Sequence, residues 1–417
     1  MMKMTVGIEA ISVAVPRRYL ELEDLALARG VEPSKYTQGL GGRRMAVADP
    51  GEDAVALAAT AARRLITRFN VDTSKLGLLV VGTESGVDLA KPVASHVQGL
   101  LELPKAMRVF DIQHACYAGT AGLMAACEWI ASGVGEGRSA LVICSDIARY
   151  GVKTAGEPTQ GGAAVAMLVS QNPRLLALDL GLSGSYSADV YDFWRPVGRR
   201  EPLVDGHYSI ACYLEAVAGA FAGWRTRALA HEVVRTVEAD CITEQLARIA
   251  YHAPFCKMAK KAHSHLRTAE LTAQGPLSAA QEAQEKLDAA SSFERQVASS
   301  LGFCADIGNA YTASLYLGLA SMLNQDAGVL GGKRVGLFSY GSGCASEFFS
   351  GVVGMHAAEV MATADVAALL ELRKRTDITE YETIMALAPD APLAESPAPG
   401  TFRLVSVKDG KRQYAAG

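Results

Sequence analysis

An internal repeat limits the folds open to this 417-residue chain more than any other feature. The segments "FDIQHACYAGTAGLMAACEWI" and "ADIGNAYTASLYLGLASML" share an Asp-Ile pair, a polar turn and a helix-like stretch rich in small residues. Each is followed by a basic turn and an apolar run, "GRSALVICSD" and "GKRVGLFSYG". Asp111 precedes Ser145 by 34 positions, and Asp306 precedes Ser339 by 33. This repetition in register indicates two homologous halves packed against each other.

The apolar runs of the chain predict the α/β class. Runs such as "LGLLVVGT" and "AAVAMLVS" do not alternate, which is typical of strands covered on both faces. They are separated by longer helix-like segments such as "EDAVALAATAARRLITRF". We divide the chain into halves at 1–178 and 179–417, the second including a loop between the halves and a solvent-facing helical insertion at 264–297. The closing "TFRLVSVKDGKRQY" alternates like one edge strand.

Composition excludes several classes of protein. Half of the residues are hydrophobic, and the formal net charge of -4 gives no reason to expect a nucleic-acid or membrane partner. No run approaches the roughly 20 apolar residues that span a bilayer. The eight cysteines are scattered singly without a CxxC pair, which fits a reducing cytoplasm and argues against structural zinc. We therefore predict a cytoplasmic protein without a metal site.

Cys116 is the first candidate for chemistry. It stands where a strand-like run, "MRVFDI", gives way to helical spacing, among the small residues of "HACYAGTAGL". At the first turn of a helix, the positive end of the dipole favours thiolate. Free cysteines are more often buried apolar groups, and we interpret the following in that way: Cys127, Cys144, Cys212 and Cys241. For Cys116 we predict a nucleophile, because small neighbours let a substrate approach the sulfur.

Three further groups follow apolar runs. Glu84 comes after a buried strand in "VVGTESG", and His252 ends another in "IAYHAPFCKMAKKAHSH". Taken alone, a glutamate in the position of Glu84 is more often a solvated loop residue, and a histidine in the position of His252 is more often structural. The glycine-rich "YGSGCAS" can present the Ser342 N–H as an oxyanion donor, and it lacks the Lys-Ser/Thr of a P-loop. Together with Cys116 they indicate carbon–carbon bond formation between thioesters, with an acyl-carrying sulfur, a base and an imidazole.

Six motifs in order carry a family resemblance. They are "ACYAGTAGL", "SDIARYG", "GEPTQGGAAVAML", "YDFWRP" with "PLVDGHYS", "HAPFCKMAKKA" and "GNAYTASLYLGLAS". The chain resembles 3-hydroxy-3-methylglutaryl-CoA synthases from about residue 5 to its end. The resemblance implies the thiolase fold, five layers in the order αβαβα built from two duplicated halves. It also implies condensation of acetyl-CoA with acetoacetyl-CoA to 3-hydroxy-3-methylglutaryl-CoA and free CoA.

The resemblance implies a role for each matching residue. Cys116 matches the acetylated nucleophile, Glu84 the general base, and His252 the histidine that positions and protonates the acetoacetyl group. Asn309 would hold the acetoacetyl thioester carbonyl. The N–H groups of Cys116 and Ser342 would form the oxyanion hole. One departure from the family pattern is an alanine at position 118, where a glycine is usual; its methyl group should tighten the turn without removing function.

Other residues would support the site. The resemblance implies that Asp146 and Asp192 stabilise it and that Tyr150 and Phe193 line the acyl pocket. Two lysines are candidates for contacts to the CoA phosphates, although a basic helix is nearly as often a solvated face: Lys257 and Lys261. The resemblance also implies a homodimer with CoA thioesters as substrates and no cofactor.

Three alternatives stay open on the sequence. A polyketide β-branching synthase would act with the same residues on a ketone carried by an acyl carrier protein, and "DFWRP" and "PLVDGHYS" look more like the CoA-using members. A ketoacyl synthase III-like enzyme needs no glutamate base, so Glu84 argues against it. A non-catalytic scaffold of the same fold has no need for the set of Glu84, Cys116 and His252.

Overall fold

The structure is a computed structural model that describes residues 5–199, 201–236, 241–388, 391 and 397–417. Its strands are β1 (Val6–Ala14), β2 (Arg18–Glu21), β3 (Arg44–Val47), β4 (Leu76–Gly82), β5 (Arg108–Ile112), β6 (Ser139–Ala148), β7 (Gly161–Gln171), β8 (Leu176–Leu178), β9 (Gly184–Ser187), β10 (Phe193–Trp194), β11 (Leu203–Val204), β12 (Arg248–Tyr251), β13 (Arg334–Gly341), β14 (Ala345–Val353), β15 (Lys374–Arg375), β16 (Phe402–Lys408) and β17 (Lys411–Ala416).

Helices separate most of these strands. They are α1 (Leu22–Ala28), α2 (Ser34–Thr37), α3 (Ala54–Arg68), α4 (Val93–Leu100), α5 (Ala118–Ala131), α6 (Gly206–Ala230), α7 (Cys256–Thr272), α8 (Ala279–Gln296), α9 (Gly302–Ile307), α10 (Ser314–Leu330), α11 (Ala357–Ala364), α12 (Val366–Glu371) and α13 (Ile378–Ala386). In the part of the chain described, no helix is long and apolar enough to cross a membrane.

The main sheet repeats one pairing pattern. Its order is β12-β13-β14-β8-β1-β7-β6-β4-β5, with β9 also on β14. In the first half β6 pairs in parallel with β4 and antiparallel with β7. In the second half β13 pairs in parallel with β12 and antiparallel with β14. Strand β8 joins the halves by pairing with both β1 and β14, so the hydrogen bonding of the sheet continues across the expected boundary at residue 178. The division of the chain into two domains at this residue stays a prediction.

The layers agree with the predicted fold class. Helix α5 packs on β4 and β6, and α10 packs on β12 and β13. The Thr120 and Tyr316 hydroxyls, 2.8 Å apart and buried, join these two central helices. Helix α3 covers the outer face of the first half, and α6 and α7 cover that of the second. The five-layered α/β fold from two duplicated halves is therefore confirmed.

The repeat is imperfect at its Asp-Ile pair. Asp111 and Ile112 end strand β5, whereas Asp306 and Ile307 end the short helix α9. The counterpart of β5 is thus a helix in the second half. The shared turn and the helix that follows it are what the two sequence segments have in common.

The structure corrects two of the sequence predictions, for the closing segment and for the helical insertion. The closing segment is not one strand but a hairpin of β16 and β17, because Asp409 and Gly410 both take positive φ and turn the chain. This hairpin is separate from the main sheet. The insertion at 264–297 is helical as predicted, in α7 and α8. Its inner face is buried rather than solvent-facing, since Phe293 and Glu285 pack inward.

Candidate active site

The loop between β5 and α5 places the thiol of Cys116 beside the carboxyl group of Glu84. The Cys116 Sγ atom lies 3.8 Å from Glu84 Oε1. The backbone turns sharply here, with Ala115 at φ 37° and the Tyr117 N–H donating to the His114 carbonyl at 2.9 Å. Helix α5 begins only at residue 118, so Cys116 precedes the helix rather than lying in its first turn.

The electrostatics of this pair contradict the expected thiolate. Burial, reinforced by the nearby negative charges of Glu84 and Asp146, raises the pKa of the Cys116 thiol well above its usual value. Burial and the Asp146 charge also raise the pKa of Glu84. The loss of hydration and the carboxylate repulsion outweigh the helix dipole. In the free protein the thiol therefore keeps its proton at neutral pH.

Asp146 fixes the turn that carries Glu84. It is fully buried at the end of β6, and its Oδ1 accepts hydrogen bonds from the Thr83 hydroxyl and the Glu84 N–H, both at 2.9 Å. Its Oδ2 accepts the Thr312 N–H at 3.1 Å. Because residue 312 belongs to the second half, one carboxylate holds elements of both halves at the site. The sequence assigned Asp146 a supporting role, and these contacts show how it can act.

His252 presents an unpartnered nitrogen. Its backbone N–H donates to the Phe338 carbonyl at 2.7 Å, and its carbonyl accepts the Tyr213 hydroxyl at 2.6 Å. The side chain is buried, yet Nδ1 has no hydrogen-bond partner among the described residues. Burial lowers the pKa of His252 to about 3, so the imidazole is neutral at physiological pH. A buried, unpaired polar atom at a strand end is suited to receive a substrate.

Asn309 lies beside an aromatic wall. Its Oδ1 accepts the Tyr311 N–H at 2.9 Å and the Ser314 hydroxyl at 3.1 Å, so its amide NH2 is the group left to donate. Tyr150 lies next to Asn309 and Tyr311 and close to the thiol and Glu84. The Phe193 ring meets the Tyr311 ring edge-on at 5.7 Å. Tyr150 and Phe193 thus lie where an acyl pocket is expected.

The glycine turn packs directly against the nucleophile loop. A Cβ atom at Gly341 would lie 2.5 Å from the Tyr117 nitrogen, so only glycine allows this approach. Asp192 holds the turn, since its Oδ1 accepts the Gly343 N–H at 3.0 Å and its Oδ2 accepts the Tyr340 hydroxyl at 2.7 Å. The backbone around Ser342 is therefore fixed next to the loop of Cys116.

Comparison with known proteins identifies the family. The model described as hydroxymethylglutaryl-coenzyme A synthase N terminal matches residues 2–173, and its C-terminal counterpart matches residues 176–294 and 286–399. A hydroxymethylglutaryl-CoA synthase of Enterococcus faecalis is 36% identical over 383 residues, covering 92% of both chains. The chain belongs to the hydroxymethylglutaryl-CoA synthase family. The resemblance seen in the sequence is thereby confirmed.

Solved structures of the family are close to this one. The structure of MvaS in complex with 3-hydroxy-3-methylglutaryl coenzyme A has a TM-score of 0.97 and 64% identity, with 100% of both chains covered. An HMG synthase of the curacin biosynthetic pathway has a TM-score of 0.85 and 31% identity over 99% of this chain and all of the other. By sequence, the mitochondrial hydroxymethylglutaryl-CoA synthase of Homo sapiens is 35% identical to this chain, over 91% of this chain and 81% of its own length.

Arg195 is a site residue that the sequence reasoning missed. Its guanidinium donates to the Glu84 carbonyl oxygen and lies 3.8 Å from the Glu84 carboxylate. Its positive charge lowers the pKa of Glu84 against the effect of burial. The residue stood in the "YDFWRP" motif that carried the synthase resemblance, three positions after the buried Asp192. Only the fold shows that this loop of the second half reaches the base.

The two lysines proposed for CoA lie on helix α7, which follows His252 in the chain. Lys257 and Lys261 are exposed and one turn apart on α7, which begins four residues after His252. Lys260 lies over the Phe293 ring at 5.5 Å instead. A CoA-binding role for Lys257 and Lys261 in this synthase stays a prediction.

Proposed function

We propose that this chain condenses acetyl-CoA with acetoacetyl-CoA and water to give 3-hydroxy-3-methylglutaryl-CoA and free CoA. The observation that carries this proposal is the thiol of Cys116 at 3.8 Å from the carboxyl group of Glu84. The full-length match to MvaS, solved with 3-hydroxy-3-methylglutaryl coenzyme A, supports the choice of substrates.

In the first step the Cys116 sulfur attacks the thioester carbon of acetyl-CoA. The bond from that carbon to the CoA sulfur breaks, and the thiol proton leaves with the CoA thiol. The oxygen that becomes negative in between needs donors at a fixed place. The N–H groups of Cys116 and Ser342 are our candidates, since their two loops pack together at Gly341.

In the second step Glu84 acts as a base on the acetyl methyl group. Acetylation replaces the thiol proton, and the ionised fraction of Glu84 removes a methyl proton. The resulting carbanion attacks the ketone carbon of acetoacetyl-CoA. The neutral His252 imidazole donates a hydrogen bond to the ketone oxygen, and this oxygen becomes the hydroxyl group by gaining the proton that Glu84 removed from the methyl group. The Asn309 amide orients the thioester carbonyl.

In the third step water cleaves the thioester between the product and Cys116. The hydroxyl group of the water joins the acyl carbon to form the carboxyl group, the carbon–sulfur bond breaks, and the other water proton goes to the sulfur. Glu84 and Cys116 are then in their starting states. The reaction is an acyl transfer with carbon–carbon bond formation, and it needs no cofactor because both CoA thioesters are substrates. We further propose a cytoplasmic homodimer; among the described residues no two cysteines form a disulfide bond, which supports a reducing compartment.

A second candidate is β-branching on an acyl carrier protein. It is favoured by the relatives solved with donor carrier protein in the curacin pathway, which are 32% identical to this chain. The relative at 64% identity was solved with a CoA thioester, which favours the CoA substrates here.

The test compares two acceptors. Purified protein with acetyl-CoA receives either acetoacetyl-CoA or an acetoacetyl-carrier protein, and the products are identified by mass spectrometry. We expect 3-hydroxy-3-methylglutaryl-CoA at a higher kcat/KM, with Cys116→Ala as the inactive control. A strong preference for the carrier protein would move the chain to β-branching.

A further inference from the structure

A cavity on the outer face of the first half contains none of the residues of the proposed active site in its lining. Its volume is about 370 Å³. Its walls are residues 13–17 at the end of β1, helix α3, the segment around α12, and residues 397–403 leading into β16. The groups proposed for catalysis do not line it, so it requires a separate explanation.

Arginine dominates this cavity, which we name the arginine cavity. Its lining holds one carboxylate, Glu52, and six arginines: Arg17, Arg63, Arg64, Arg68, Arg373 and Arg403. Glu52 is already engaged by the N–H groups of Arg17 and Asp49, at 3.0 and 2.9 Å. Two of the arginines pair with carboxylates outside the lining, Arg403 with Asp49 and Arg68 with Asp365, both at 3.3 Å, and a net positive charge remains in the cavity.

Arg373 is one of the two buried arginines in the lining of this cavity. It is 8% exposed, and its Nη2 has no hydrogen-bond partner in the described part of the chain. Its other contacts are neutral: the Leu370 and Asp306 carbonyls, at 3.2 and 2.9 Å, and the Tyr19 ring. A buried guanidinium donor left unpaired is unfavourable, and an oxyanion would satisfy it.

Arg64 on α3 also has a buried donor without a partner in the part of the chain that the structure describes. The buried Nε of Arg64 has no hydrogen-bond partner within the described residues, and its Nη2 bonds only to carbonyls of residues 364 and 365. Arg63 stacks its guanidinium 4.1 Å over the Phe402 ring. Burial lowers the pKa of both Arg64 and Arg373, and the nearby charges of Asp365 and Asp306 offset this effect only in part.

The remaining lining of the cavity is mostly apolar, which indicates a ligand with an apolar part attached to its charged group. It is formed mainly by Val13, Ala14, Val15, Pro16, Leu369, Leu372, Pro397, Ala398, Pro399 and Phe402. The volume is at the lower end of the range of about 300–1,000 Å³ for small-molecule sites, too little for a whole CoA thioester. We infer that the arginine cavity binds a small amphiphilic oxyanion, a phosphate or carboxylate on a short apolar chain.

Calorimetric titration tests this without relying on turnover, so its outcome is independent of the proposed function. The probes are hexyl phosphate, hexanoate, hexanol and inorganic phosphate. We expect hexyl phosphate or hexanoate to bind at one site per chain. The probe that binds more tightly identifies the headgroup, phosphate or carboxylate, that the cavity prefers. Both hexanol and inorganic phosphate should bind at least about tenfold more weakly, because each lacks one half of the recognition.

Variants locate the site. Arg64→Gln and Arg373→Gln should each weaken binding by about tenfold or more, since each removes a charge-assisted donor. Arg138→Gln is the matched control, because Arg138 also bonds carbonyls and contacts a ring, that of Trp129, outside this cavity. If Arg373→Gln does not fold, Arg64→Gln decides. Undiminished binding in Arg64→Gln, equal binding of hexanol or of inorganic phosphate, or no binding to the unmodified protein would overturn the inference.

Discussion

At the scale of single residues, the site is governed by carboxyl groups that share a dry environment. Glu84 and Asp146 are both buried, and each raises the pKa of its neighbours as well as responding to burial. Cys116 is consequently a thiol in the free protein. Reactivity therefore depends on positioning and on where its proton can go, rather than on a preformed thiolate.

The first prediction concerns Glu84→Gln. Removing the carboxylate charge should lower the pKa of Cys116, so that alkylation by iodoacetamide begins at lower pH than in the unmodified protein. The variant should still accept an acetyl group. Its condensation rate should fall by about 10²–10⁴, the usual effect of losing a positioned base. Near-normal condensation would contradict the base role and favour a ketoacyl synthase-like mechanism.

The second prediction concerns Arg195→Met. Because the guanidinium charge lowers the pKa of Glu84, its removal should raise that pKa further. Glu84 must be ionised to act, so the rise of kcat with pH should move to higher pH. Arg199→Met, an exposed arginine of the same loop, is the control and should leave the profile unchanged. If kcat decreases at every pH while the pH at which it rises stays the same, Arg195 has only a structural role.

The third prediction concerns His252 and acid stability. Its pKa is about 3 in the folded protein, against an ordinary value of 6.5. Between these values the unfolded state binds the extra proton, so stability falls as pH drops from 6.5 towards 3. Denaturant unfolding at several pH values should show a smaller loss in His252→Leu than in the unmodified protein. An equal loss in both proteins would contradict the buried, neutral imidazole.

At the scale of elements, the apolar runs predicted the strands that Glu84 and His252 follow, and the repeat predicted the two central helices α5 and α10. Non-alternating runs and small-residue helices depend on local burial, which the sequence encodes directly. The hairpin of β16 and β17 was missed because alternation continues through both strands, although Asp409-Gly410 is a turn signal. The contact of Arg195 with Glu84 joins residues 111 positions apart, and no local pattern encodes it.

The fourth prediction belongs to the contact between two turns. In Gly341→Ala the new methyl group would collide with the Tyr117 backbone and push the Ser342 turn away from the nucleophile loop. We expect the rate of acetylation to fall by about 10²–10³, the scale for loss of one oxyanion donor. Gly99→Ala is the control, because its methyl group meets open space on α4. Burst kinetics with acetyl-CoA measure both variants, and equal rates would contradict the oxyanion role.

At the scale of the whole molecule, duplication explains why the site forms where the halves meet. The first half supplies Glu84 after the buried strand β4 and Cys116 after the partly exposed strand β5, and the second half supplies His252 after the buried strand β12. Asp146 bonds across to the Thr312 N–H, so the positions of the base and of the second half are linked. The two halves followed from the repeat and the α/β class from the apolar runs, whereas these cross-half contacts depend on packing between distant segments.

The most direct measurement of the central claim is mass spectrometry of the protein after incubation with acetyl-CoA alone. After digestion, we expect one acetyl group on the peptide that contains Cys116, and its loss when acetoacetyl-CoA is added. Cys116→Ala should carry no label. An acetyl group on a different cysteine, or undiminished labelling of Cys116→Ala, would contradict the account.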